Sequence, residues 1–257
     1  MIRSTFLLLA VLSSQVPGAP ALPKLLFFAN PMTSDNDVAR RPRPDELSIA
    51  ERNFAELSRG VFDVTFTTDG PEVSGEKLRR YRAVVFFTAG NPPGVDKEAL
   101  VAWVRNGGAF IGIHSTANTY QGFAPFGEML GAYFDRRPWR TREAHQSKVT
   151  VIVVDGTHPA TRHFPKSFEI ADDIYQFKNF DRSKVQLLLS LDPKSLDLTV
   201  PKMNKADPHL PVAWVKPYGE GRVFYTALGD WEKVWKDPRY RTHLTEGIFW
   251  ALKASSR

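Results

Sequence analysis

An apolar run that ends in a histidine and a serine is the stretch of this 257-residue chain most suggestive of chemistry. In Gly107-Gly108-Ala109-Phe110-Ile111-Gly112-Ile113-His114-Ser115, a buried strand delivers His114 and Ser115 to a sharp turn at a sheet end. Such turns expose the side chain at their apex, which is why α/β enzymes set a nucleophile or base there. The run is not Gly-x-Ser-x-Gly, so a hydrolase elbow of that type is not indicated. Imidazole can give or take a proton near neutral pH. The competing reading is a packed, hydrogen-bonded structural histidine.

Two further stretches offer carboxylates beside aromatic rings. Asp172-Asp173-Ile174-Tyr175-Gln176-Phe177 combines acceptors for hydroxyls with flat faces for C–H surfaces, the pairing a sugar site uses. Adjacent residues of a strand point to opposite faces, so Asp172 and Asp173 are not expected to form an acid/base dyad by themselves. Gly229-Asp230-Trp231-Glu232 could complete the same pocket, or cap a helix with Asp230 at its N-cap. The other histidines, His145, His158, His163, His209 and His243, form no His-x-His or His-Glu-x-x-His arrangement, so no metal site is recognisable. His158 before Pro159 reads as a turn residue, and His243 as a surface or packing residue of the last helix. With no cysteine, disulfides, thiolate metal sites and a cysteine nucleophile are excluded.

The elements that must position these groups alternate. Residues 24–29 read as a buried parallel strand followed by a polar loop, 30–37. Leu47, Ala50, Phe54 and Leu57 fall at helical spacing before Gly60. A strand over 62–67, a short helix near 74–80, a strand over 83–87, a helix over 96–106 and a strand over 109–113 follow, which argues for βαβ units and a parallel sheet. The second half is strand-rich, with strands over 148–154, 185–191, 212–215 and 222–227 and a closing helix over 238–253. In open parallel sheets ligands bind beyond the carboxyl ends of the strands. The loops there are 30–37, 88–94, 114–123 and 229–235.

Composition places the chain among globular proteins, with 42% hydrophobic and 24% charged residues. No run approaches the ~18 apolar residues of a membrane span. Arg3, the apolar residues 6–12 and Ala19-Pro20-Ala21 read as a secretory signal over 1–21, so an exported domain is expected over 22–257. The net charge is +6. Its densest runs, Arg40-Arg41-Pro42-Arg43 and Arg136-Arg137-Pro138-Trp139-Arg140-Thr141-Arg142, carry no nucleic-acid motif and suit a solvated face or a few cations aimed at an anionic or polyol ligand.

Several stretches together resemble one family. Gly-Ala-Phe-Ile-Gly-Ile-His-Ser (108–115), Gly-Ala-Tyr-Phe-Asp (131–135), His-Pro-Ala-Thr (158–161), Ser-Phe-Glu-Ile (167–170), Ile-Tyr-Gln-Phe-Lys (174–178) and Gly-Arg-Val-Phe-Tyr-Thr-Ala-Leu-Gly (221–229) are similar to the ThuA-like, trehalose-utilisation family. The resemblance runs from about Lys24 to Lys253. It implies a class I glutamine amidotransferase-like fold: a flavodoxin-like three-layer α/β sandwich with a mostly parallel sheet. It also implies carbohydrate metabolism, acting on a disaccharide, glycoside or 3-keto-sugar. Relatives tend to carry histidine in the first loop, where this chain has Asn30 and Asn36, and acidic residues where it has Asn91 and Asn118. They carry histidine at Arg137 and Asp230, and glutamate at Asp173. Asparagine is no general base and arginine is permanently charged, so the activity is changed or lost.

The candidate catalytic groups are therefore His114, Asp173 and Asp230. Candidate substrate contacts are Asn30, Asn91, Ser115, Asn118, Tyr175, Gln176 and Trp231. No cofactor is expected, a divalent metal being left open, and the partner is a small carbohydrate. A sugar-binding protein stripped of its acid/base set is the alternative. Convergence of His114, Asp173 and Asp230 on one cavity favours catalysis, whereas burial of His114 favours binding.

Overall fold

In strand β1 (Lys24–Phe28), Leu25 and Phe27 enter one apolar core and Leu26 and Phe28 another, so every residue after Lys24 is buried. Successive side chains of a strand face opposite ways, and a strand covered on both faces reads as one continuous apolar run. The same double burial holds for β3 (Ala83–Phe86) and β4 (Ala109–Ile113). The computed structural model describes residues 21–29, 38–140, 146–205 and 209–255. Residues 1–20 of the expected signal, Asn30, Asn36 and His145 lie outside the described residues.

The described residues form a nine-stranded sheet in the order β2-β1-β3-β4-β11-β10-β9-β6-β7. Strands β2 (Asp63–Thr67), β1, β3, β4 and β11 (Gly221–Thr226) run parallel. Strands β10 (Pro211–Tyr218), β9 (Gln186–Leu191), β6 (Ser147–Val153) and β7 (Ser167–Asp172) extend it antiparallel. Helices α1 (Ile49–Ser58), α5 (Glu232–Lys236) and α6 (Pro238–Ala251) contribute to the core on one face. Helices α2 (Gly75–Leu78), α3 (Lys97–Arg105) and α4 (Ala124–Leu130) contribute to the core on the other. This is the expected three-layer α/β sandwich. A two-stranded ribbon, β5 (Tyr133–Arg136) against β8 (Gln176–Lys178), lies outside the main sheet. No helix among the described residues is long and apolar enough to cross a membrane.

Several elements escape the sequence pattern. Helix α4 carries Pro125 and Gly127, poor helix formers. Strands β5 and β8 are too short to show a period. Strand β10 outruns the expected 212–215 because Lys216 and Pro217 break its apolar run; the Lys216 stem is nevertheless buried and its Nζ donates to the Glu128 carbonyl at 2.6 Å.

His243 on α6 is a packing residue and is fully buried. Its Nδ1–H donates to the Ala160 carbonyl at 2.7 Å, and burial drives its pKa down to about 3. A histidine held neutral contributes stability that is full above its unfolded pKa, about 6.5, and is lost as pH falls towards 3. Urea unfolding of wild type and His243→Gln between pH 8 and 4 should show the wild type losing more stability below pH 6.5. Parallel pH profiles would contradict this assignment.

Candidate functional site

The site begins where two neighbouring parallel strands end together. Ile113 closes β4 opposite Thr226, which closes β11. The next residue, His114, turns sharply with φ +41°, a left-handed conformation costly for a side-chain-bearing residue. The turn is pinned from both sides. The Tyr225 hydroxyl donates to the His114 carbonyl at 2.8 Å, and Thr116 Oγ1 donates to the Phe86 carbonyl at 2.6 Å while accepting from the Ile113 amide at 3.2 Å.

The strand pairing also places Ala227 beside the imidazole. His114 Nδ1 lies 2.7 Å from the Ala227 carbonyl oxygen. A carbonyl can only accept, so Nδ1 carries a proton and Nε2 is the atom free to exchange one. Nε2 points at two carboxylates, 3.1 Å from Asp230 Oδ1 and 3.9 Å from Asp173 Oδ2. Both contacts are at ion-pair distance. The Tyr175 ring lies against the imidazole, with centroids 4.1 Å apart.

Asp230 arrives on the turn that follows β11. Gly229 sits at φ +119°, and a Cβ there would stand 2.7 Å from the Tyr240 hydroxyl, so glycine is required. Asp230 is not a helix cap: Trp231 begins α5 without a side-chain cap bond. The carboxylate that grips this turn is Asp172, which is fully buried at the end of β7. Its Oδ2 accepts from the Gly229 amide at 2.7 Å, and its Oδ1 from the amides of Trp231 at 3.1 Å and Asp173 at 3.0 Å. The two adjacent aspartates therefore split, Asp172 to the backbone and Asp173 to the imidazole.

Asp173 is buried beneath two arginines. Arg137 Nε lies 3.0 Å from its Oδ2 and Arg140 Nη1 3.8 Å, and both guanidiniums are partly exposed. Arg137 follows β5 directly opposite the residue preceding β8, which is why its Nη2 donates to the Tyr175 hydroxyl at 3.2 Å. Its guanidinium also lies over the Phe134 and Tyr175 rings, 5.4 and 5.2 Å from their centroids.

These surroundings drive the pKa values apart. Burial works against a charged His114, but Asp230, Asp172 and Asp173 outweigh it and hold its pKa above the ordinary value. Burial works against a charged Asp230 too, yet His114, Arg137 and Arg140 keep that carboxyl below the usual range. Asp173 goes up, because burial exceeds the help of His114 and Arg137. Burial lifts Asp172 to about 7 despite its three amide donors. Both shifts favour the imidazolium–carboxylate form of the His114–Asp230 pair, and of the two only Asp230 reaches towards solvent: its side chain is 17% exposed against 1% for His114. One oxygen each from Asp173 and Asp230 lies with Nε2 within 4.8 Å of one another, close enough to share one metal ion. An ion there would have to share Asp173 with two guanidiniums.

The remaining candidates disperse. Ser115 is buried, and its hydroxyl has no hydrogen-bond partner among the described residues. Asn118 is half-buried and accepts from Gln121 Nε2 at 2.7 Å, while Asn91 is exposed on the neighbouring loop. Tyr175 is buried as a packing surface for His114. Gln176 spans its amide across residue 204, accepting from the Asn204 amide at 2.7 Å and donating to its carbonyl at 3.0 Å. Trp231 faces a cleft of about 320 Å³ bounded by Ile170, Val234 and Arg239. The arginines on Asp173 lie in the basic run that the sequence marks only by charge, and Asp172 carries no sequence signal separating it from Asp173.

Residues 38–251 match the ThuA family, described as trehalose utilisation. The chain belongs to that family. Its membership supports a carbohydrate function related to trehalose utilisation. No curated protein matches the chain. A ThuA-like protein from Bacteroides uniformis is similar in structure at TM-score 0.73 and 24% identity, with 92% of this chain and 95% of that one covered. A ThuA-like protein from Parabacteroides merdae follows at 0.65 and 15%, with 92% of each covered. A protein from Thermoplasma acidophilum, described as a GMP synthase component, superposes at 0.53 and 10%, covering 89% of this chain and 94% of that one. These likenesses show the fold, which is the amidotransferase-like one expected.

Removing Arg137 leaves Asp173 buried against a single, more distant guanidinium. Arg137→Ala should lower unfolding stability by about 1–3 kcal/mol, discounted for the arginine's partial exposure. Asp173→Asn in the same chain should restore most of the loss. Strictly additive effects of the two substitutions in urea unfolding would contradict the pairing.

Proposed function

We propose that this ThuA-family protein is a carbohydrate-active enzyme that moves a proton on a disaccharide, glycoside or 3-keto-sugar through the His114–Asp230 pair. The observation that carries this reading is the imidazole fixed by Ala227 with Nε2 3.1 Å from Asp230, beside a second carboxylate, Asp173, pushed the opposite way in pKa. Titratable neighbours forced apart in this manner take different acid/base roles. Asp230 is the group a substrate can touch and serves as proton acceptor. His114 behind it carries the compensating charge, and Arg137 and Arg140 offer donors to sugar hydroxyls or to a developing oxyanion.

The cations beside the pair favour chemistry at a carbonyl: Arg137 and Arg140 stand 3.0 and 3.8 Å from Asp173, next to Asp230 and His114. A proton removed next to a carbonyl, as a keto-sugar presents, needs only one base and a cation for the oxyanion. The burial of His114 favours a second reading, a sugar-binding protein without turnover.

A turnover and thermal-shift screen against trehalose, other disaccharides and their 3-keto forms, with and without divalent metals, separates the two. The enzyme reading expects turnover that falls about 100-fold or more in Asp230→Asn and in His114→Ala. Stabilisation by a sugar with no turnover would establish the binding reading instead.

A further inference from the structure

We propose that Asp172 is a positioning residue of this site: its carboxylate clamps the turn that carries Asp230 and thereby sets Asp230 against His114. The inference rests on the enzymatic reading of the His114–Asp230 pair and adds to it a residue that does not face the substrate.

The geometry is specific. Asp230 is flanked by Gly229 and Trp231, and the amides of both flanking residues donate to the two oxygens of one carboxylate, at 2.7 and 3.1 Å. The turn is thus held on either side of Asp230, leaving that side chain one direction in which to project. The third donor, the amide of Asp173 at 3.0 Å, ties the same carboxylate to the residue that brings the second acid to His114. A single buried group therefore fixes the spacing between the strand-end of β7 and the turn after β11, which are not neighbours in the sheet. Trp235 Nε1 donates to the Gly229 carbonyl at 2.8 Å, and Gly229 cannot accept a side chain without striking Tyr240, so the turn has little freedom beyond what Asp172 allows.

An ordinary structural acid would be served by an amide of the same shape. Asparagine at 172 could keep one oxygen towards Trp231 and Asp173, but its NH₂ would face the Gly229 N–H, donor against donor. The turn would then shift, and a displacement of about 1 Å at a reacting group costs up to about 100-fold in rate.

The test uses the full chain and three readouts. In wild type, hydrogen exchange should find the Gly229 and Trp231 amides protected like those of β4; rapid exchange of both would overturn the clamp without any variant. A crystal structure of Asp172→Asn should show Asp230 withdrawn from His114, and an unmoved Asp230 would also overturn it. With a turned-over sugar in hand, Asp172→Asn should lower kcat about 10- to 100-fold with KM little changed. Asp172→Asn combined with Asp230→Asn should then be no slower than Asp230→Asn alone. Additive losses would assign Asp172 a general structural role and reject the proposal. A chain that shows the protected amides and the displaced Asp230 but turns over no sugar would refute the enzyme reading while leaving the clamp in place.

Discussion

Everything at this site depends on the side-by-side ending of β4 and β11. Their parallel register brings Ile113 opposite Thr226, so the first residues beyond each strand, His114 and Ala227, meet at 2.7 Å. That one contact assigns the imidazole proton to Nδ1 and aims Nε2 away from the sheet. The strained φ of His114 is tolerated because the Tyr225 hydroxyl and Thr116 hold the turn from two directions. A tight turn after a central strand is where this class of fold presents its working residue. Here the residue presented is an imidazole, backed by the phenol ring of Tyr175.

Around that fixed nitrogen the chain sets charges of both signs in a small volume. Three aspartates and two arginines surround one histidine, and burial raises the cost of every uncompensated charge. The outcome is a division of labour among acids that look alike in sequence. Asp230 stays ionised against His114, Asp173 is held beneath the arginines, and Asp172 turns its oxygens to the backbone. Arg137 and Asp230 form a guanidinium–carboxylate arrangement with Asp173 and His114. Arg137 contributes a fixed positive charge there, because arginine cannot release a proton.

The parallel half of the fold is legible from the sequence because β1, β3 and β4 are buried on both faces and read as unbroken apolar runs between helical periods. The placement of His114 and Asp230 is partly legible too, since each lies in a loop that follows the carboxyl end of an apolar strand, β4 and β11. What is not legible depends on non-local pairing. The ribbon of β5 and β8 places Arg137 against Tyr175, and nothing local in Tyr-Phe-Asp-Arg or Gln-Phe-Lys announces that partnership. Asp172 and Asp173 are indistinguishable by type, and strand alternation says only that they part. Which of them meets the imidazole is decided by the turn after β11, some 57 residues further along the chain. Asp230 reads as a helix cap for the same reason: a polar residue before a helix is ambiguous until the partner across the sheet is known.

The most direct test of the His114–Asp230 pairing is a ¹⁵N NMR titration that follows the two ring nitrogens of His114. Nδ1 should remain protonated throughout, because it donates to the Ala227 carbonyl. Nε2 should release its proton above the ordinary histidine value, because the Asp230, Asp172 and Asp173 charges outweigh burial. A neutral His114 protonated on Nε2, or one that titrates below the ordinary value, would contradict it.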